Sequence, residues 1–211
     1  ITILPTGALH FDDGAVDGPT LDDIDIDLEA GTIVLPVGLT IDAGGIGQGL
    51  AADLTVDLAL RSGFNGAMVS IGGDIAASQR PPGSDWRVVI AHPDTDREPV
   101  GTIAVTGGGV ATSSTRSRRW RHDGVERHHL IDPWTGAMST TDLASVTVIA
   151  RSGWLAEAHA TAAILAGSER VIDHLDRHEL TGVAVTIDGD VLATHDVAEL
   201  AELATTTGDR S

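Results

Sequence analysis

The sequence predicts an α+β fold, a mostly antiparallel sheet with helices packed on it. Short extended runs follow one another with only turn residues between them, as hairpins do. Helical stretches are inserted singly and do not alternate with each strand, which argues against a doubly wound parallel sheet. The 211 residues are 42% apolar, enough for one sizeable core or two small ones. No linker rich in Pro, Ser or charge divides them, so a single domain over 1–211 is expected.

Ile1–Leu4, Ile24–Leu28 and Thr32–Val37 read as short strands, the last two forming a hairpin around Ala30-Gly31. A helix over 47–61 places Leu50, Ala51, Leu54 and Leu58 on one face, and Gly63 sits where a left-handed C-terminal cap belongs. Ala67–Ile71 reads as a buried strand ending at Gly72-Gly73-Asp74, and the prolines of 80–83 mark a loop. Strands follow at 86–91, 101–105, 110–113, 128–131 and 145–150. A second helix spans 154–166 and stops at Gly167; a third, over 169–178, turns Val171, Ile172 and Leu175 inward. Asp188-Gly189 signals a type I′ hairpin joining 182–187 to 191–194, and the tail 197–204 reads as a short helix.

Charge is the strong compositional deviation. Thirteen basic residues stand against 31 acidic ones, a net of −18, so nucleic acid and anionic lipid are repelled as partners. One basic cluster, Arg116, Arg118, Arg119 and Arg121, reads equally as a solvated segment or an anion contact. All basic side chains are arginine, as under GC-rich coding or salt adaptation, and with no cysteine the 211 residues hold no disulfide, zinc-thiolate site or lipoprotein anchor. No apolar run has the length of a membrane span and no leader pattern is present. The chain opens at Ile1 and not Met, as a fragment or processed product would.

Four segments carry possible chemistry. Asp42-Ala43-Gly44-Gly45-Ile46-Gly47-Gln48-Gly49 is a glycine turn opening into a helix, whose bare N–H groups and positive dipole end suit phosphate; by spacing alone it is as readily a packing turn. In Ile71-Gly72-Gly73-Asp74, the acid after paired glycines can meet a ligand or bond its own turn. In His128-His129-Leu130-Ile131-Asp132-Pro133-Trp134-Thr135-Gly136, a strand would send the two histidines to opposite faces, so only one enters a shared pocket. In Ala156-Glu157-Ala158-His159-Ala160-Thr161-Ala162, Glu157 and Thr161 are neighbours on one helix face. Their oxygens suit a hard cation such as Mg²⁺ and suit zinc poorly, although a glutamate in a first helical turn also serves the dipole. His159 reads as a surface or packing residue.

Taken together and in this order, the four blocks resemble the ApbE family of FAD:protein FMN transferases from about Thr40 to Leu192. The family patterns D-x-G-G-(I/A)-x-K-G, G-G-D, H-(I/L)-(I/L)-D-P-x-T-G and A-D-x-x-A-T-A match here, with Gln48 in the lysine slot and Glu157 in the aspartate slot. Upstream of the third block, Ser114 stands where the family often has the glycine of T-S-G. The resemblance implies an ApbE-like, T-fold-related architecture and Mg²⁺-dependent transfer of FMN from FAD to a threonine of an acceptor flavoprotein, with release of AMP. It implies that Asp42, Gln48 and His129 line the flavin pocket, that Asp74 binds or supports the cofactor, and that the Gly45 carbonyl, Glu157 and Thr161 hold magnesium. Members of the family carry a further segment ahead of the position of Ile1 that supplies sheet strands and much of the adenine contact. The chain therefore resembles the C-terminal two thirds of the family, and a homodimer through an exposed sheet edge is expected. Two other readings stand beside this one, a non-catalytic flavin or nucleotide binder of the same fold and an acidic protein-contact scaffold.

Overall fold

The longest β-branched run, Leu143–Ala150 (β12), lies inside a six-stranded sheet, with its first six residues buried. In a computed structural model, residues 2–5, 23–37, 39–81, 83–133, 135–197 and 201–203 are described. The sheet is completed by Met68–Ile71 (β5), Asp74–Ala77 (β6), Gly108–Ser114 (β9), Thr181–Thr186 (β13) and Val191–Ala193 (β14). Its order is β14-β13-β12-β9-β6-β5, and all its pairings are antiparallel. The expected fold class is the observed one.

Alternation along the strands sorts side chains into two layers. Val146, Val148 and Ala184 face Ile164, Val171 and Leu175 of the helices Gly153–Ala166 (α2) and Val171–Arg177 (α3). On the other face, Val110, Val183 and Val185 pack against Val88, Ile90, Ile103 and Val105 of a small sheet. That sheet has the order β15-β8-β7, from Trp86–Ile90 (β7), Gly101–Val105 (β8) and Ala201–Leu203 (β15). Three two-stranded ribbons complete the described strands: Thr2–Pro5 (β1) with Leu39–Asp42 (β4), Asp25–Asp27 (β2) with Thr32–Val34 (β3), and Arg119–His122 (β10) with Val125–His128 (β11).

The helix Gly47–Arg61 (α1) has the expected span. Its C-terminus closes with Gly63 at φ 93 and the bonds Gly63 N–H to Leu60 and Phe64 N–H to Ala59, a Schellman motif. Which face it buries differs from the expectation. Gly49, Ala52 and Val56 are buried, whereas Leu54 and Leu58 are 61% and 63% exposed. Small residues win the inward face because α1 crosses α2 too closely for leucine, as described below.

Four other expectations change. The strand at 68–71 is half-exposed, because it is the last strand of the sheet. Gly72-Gly73, with φ 64 and 108, is the two-residue turn of a β5–β6 hairpin and not a strand end. At Asp188-Gly189, Gly189 N–H bonds to Thr186 and only Gly189 has positive φ, so the turn is a type I turn with a glycine bulge and not type I′. Within the tail, Ala201–Leu203 is a strand because the edge of β8 offers it a ladder; residues 198–200 and 204 lie outside the described set.

Candidate functional site

The start of α1 and the start of α2 meet backbone to backbone. A Cβ on Gly49 would lie 2.3 Å from the carbonyl carbon and oxygen of Gly153, closer than any real contact, so the crossing requires glycine. Asp53 braces it by accepting the N–H groups of Gly153 at 2.8 Å and Trp154 at 3.0 Å. This approach brings Glu157 of α2 under the first turn of α1. Its Oε2 accepts the Gly49 N–H at 2.8 Å, and the Gln48 N–H also bonds this carboxylate. The N-cap residue of α1, Ile46, has no side-chain oxygen to offer, so Glu157 supplies from another helix the acceptor that a capping Ser or Asp would provide. Burial pushes its carboxyl up, and the two N–H groups pull it back.

Thr161 lies one turn further along the same face. Its hydroxyl is 3.0 Å from the Ser113 hydroxyl on β9, and a Cβ on Gly45 would lie 3.8 Å from Thr161 Oγ1. The Gly44-Gly45 turn is held by Asp42, which is exposed and whose Oδ1 accepts the Gly44 N–H at 2.8 Å. Gly45 and Thr161 thus lie side by side, with Glu157 one turn back on the helix.

The second block joins the first through the β5–β6 turn. A Cβ on Gly72 would lie 2.1 Å from Gln48 Nε2, so the glutamine side chain lies across that turn. Asp74, which follows the turn, is 6% exposed, and its Oδ1 accepts the Thr112 N–H at 3.2 Å. Burial and the nearby Glu157 charge raise its carboxyl to about 6. Two buried acids therefore sense each other beside a helix N-terminus.

His129 follows β11 and is not in a strand, because the chain turns at Asp132–Gly136; there the Gly136 N–H bonds the Asp132 carbonyl at 2.8 Å and Gly136 has φ 68. Burial, Arg118 and His128 hold its imidazole below the ordinary value, and its Nδ1 is enclosed without a hydrogen-bond partner among the described residues. Arg118 is in the left-handed region at φ 49. Its charge favours the ionised forms of Asp74 and Glu157 and disfavours protonated His129, so it couples the third block to the second and the fourth. The rest of the arginine cluster is engaged elsewhere or turned to solvent. Arg116 leans on Asp94 at 3.6 Å, Arg119 pairs with Glu126, and Arg121 is exposed.

Over residues 13–193 the sequence matches the model of the ApbE family. The chain belongs to that family. It is 33% identical over 159 residues to the FAD:protein FMN transferase of Escherichia coli (strain K12), a match covering 74% of this chain and 45% of that protein. With the enzyme of that name from Treponema pallidum (strain Nichols) it shares 35% over 146 residues, 63% of this chain and 40% of the relative. The ApbE chain thus spans under half the length of these curated relatives. Among solved structures it is similar to the ApbE protein of Thermotoga maritima, at 28% identity and a TM-score of 0.76, over 85% of this chain and 59% of that one. It also resembles the apo flavinyl transferase ApbE of Pseudomonas stutzeri, at 28% identity and a TM-score of 0.70, over 85% and 56% of the two chains. The geometry adds Ser113 and Arg118 to this cluster, and the sequence shows each only as part of a larger run. Ser113 lies in a run of hydroxyl residues, and Arg118 is one arginine among four.

Proposed function

We propose that this chain binds FAD with Mg²⁺ and transfers FMN to a threonine hydroxyl of an acceptor protein, releasing AMP. The relatives named FAD:protein FMN transferase support the general reaction. The observation that carries the reading is the set of oxygens at the N-terminus of α1: the Thr161 hydroxyl beside the Gly45 backbone and the buried Glu157 carboxylate, with Asp74 near it; the Gly45 carbonyl is the further donor in this reading. The set contains neither thiolate nor imidazole, and two mutually repelling buried acids gain from a hard cation, so the donors fit magnesium. Bound there, the ion would neutralise phosphate oxygens and fix their position.

In the reaction the threonine oxygen forms a bond to the phosphorus attached to riboflavin. The bond from that phosphorus to the bridging oxygen breaks, its electron pair leaves with AMP, and the hydroxyl proton is released. The chain's part is positioning. The Gly44-Gly45 turn lets the pyrophosphate approach the backbone, while Asp42 holds that turn. Gln48 offers a neutral amide in the lysine slot, Asp74 and His129 line the flavin side, and Arg118 brings positive charge. A homodimer paired through the outer strand β5 belongs to the same reading.

A non-catalytic flavin binder is favoured by one observation, that the Glu157 carboxylate is already engaged by two backbone N–H groups. Calorimetric titration of FAD with and without Mg²⁺, followed by an AMP-release assay with a threonine peptide, separates the readings. Transfer predicts binding strengthened by Mg²⁺, with one AMP released per modified peptide. Binding without AMP release selects the binder, and no binding under either condition overturns both.

A further inference from the structure

The face of α2 opposite Glu157 and Thr161 carries a second cluster. His159 on that face, His174 on α3 and His178 at the C-cap of α3 each direct a ring nitrogen to one point, all within 4.8 Å of one another. His159 Nδ1 and His174 Nε2 are already 3.2 Å apart. The ring centroids are 4.7, 4.8 and 5.4 Å apart, with planes tilted by 50° to 54°, so the rings converge edge to edge and do not stack. Residues two apart on a helix point to opposite sides, which separates this cluster from the oxygen-lined one.

The backbone fixes this convergence. After α3 the bonds from Leu180 N–H to Leu175 and from Glu179 N–H to Asp176 form a Schellman motif, with Glu179 at φ 54 in the position usually held by glycine. That turn sends the chain back into β13 and leaves His178 and Glu179 at the mouth of a groove backed by Leu155 and Leu180. Burial, then His178 and His159, hold the His174 ring below its ordinary value, which favours the neutral, metal-binding form. Arg151 and Arg177 are the nearby cations that oppose a metal here, and Glu179 offsets part of their charge.

From this geometry we infer that His159, His174 and His178 form a binding site for a zinc-class divalent transition ion, with water or the Glu179 carboxylate as fourth ligand. Zinc–nitrogen bonds of about 2.0–2.1 Å place tetrahedral ligand atoms about 3.3 Å apart. One pair already has that spacing, and the third ring needs a shift of only about 1 to 1.5 Å, within reach of a side chain at a helix end. Imidazole donors select zinc, cobalt, nickel or copper over magnesium. The ion would staple the seven-residue α3 to α2.

The test uses the untagged full chain stripped of metal. Co²⁺ is titrated in and followed by the visible bands of tetrahedral cobalt, then displaced by Zn²⁺, and the thermal midpoint is recorded with and without zinc. One equivalent should bind, with zinc raising the midpoint, and His178→Ala and His174→Gln should each weaken binding at least tenfold. His195→Ala, a change at an exposed histidine outside the cluster, should leave binding unchanged. His178 is exposed, so its replacement spares the core. Failure of wild type to bind one equivalent overturns the site. So does binding that survives both cluster variants, or that is lost in Glu157→Gln instead.

Discussion

Asp74 is the residue whose protonation the site controls most. Its carboxyl rises from 3.8 to about 6, through burial first and the Glu157 charge second. A raised folded-state value means that the folded chain holds this proton more tightly than the unfolded chain does. The resulting stabilisation is fully present below about pH 3.8 and is lost as pH rises through about 6. Asp74→Asn removes the titration but keeps an oxygen for the Thr112 N–H. In metal-free buffer at pH 7.5 the variant should be more stable by about 1 to 2 kcal/mol, a gap that closes near pH 4, as urea midpoints would show. A constant gap across that range would contradict the buried, ionised acid. At this scale the sequence was partly informative. Helical spacing alone set Glu157 and Thr161 on one face, whereas Ser113 and Arg118 reach the site through strand register and a left-handed turn that no local pattern announces. Nothing local to His159 announces its neighbours, which lie 15 and 19 positions away on another element.

At the scale of elements, the crossing of α1 and α2 is the least forgiving contact. Gly49→Ala would gain about 1 kcal/mol of helix propensity, but it places a methyl on the Gly153 carbonyl. Backbone on both sides cannot move aside as a side chain would, so overpacking wins. A net loss of about 2 to 3 kcal/mol is expected in urea unfolding, together with loss of the FAD binding proposed above; unchanged stability would mean that the helices are farther apart. The helices themselves were legible, since 3.6-residue periodicity and the glycines at 63 and 167 mark their ends. Some of the short strands were not. Asp74–Ala77 has four residues and no alternation, Leu39–Asp42 alternates but over only four residues, and Ala201–Leu203 is made of helix-forming residues that pair because β8 has a free edge.

For the whole molecule, charge and exposed apolar surface oppose each other. The net charge of −18 repels a second copy, while Leu54, Leu58 and Phe64 leave an apolar stripe on and just beyond α1 that nothing among the described residues covers. The proposed dimer should therefore grow with salt, because screening weakens the repulsion without weakening apolar or strand contacts. Sedimentation at about 0.05 and 1 M NaCl would show it, and a monomer throughout at high protein concentration would rule the dimer out. Among the described residues no helix is long and apolar enough to cross a membrane. The touching backbones at Gly49 and Gly153 also bear on how this fold can diversify. Neither position tolerates even a methyl, so this crossing is closed to stepwise mutation, and variation in the fold has to be written away from it, in exposed elements such as the β10–β11 ribbon.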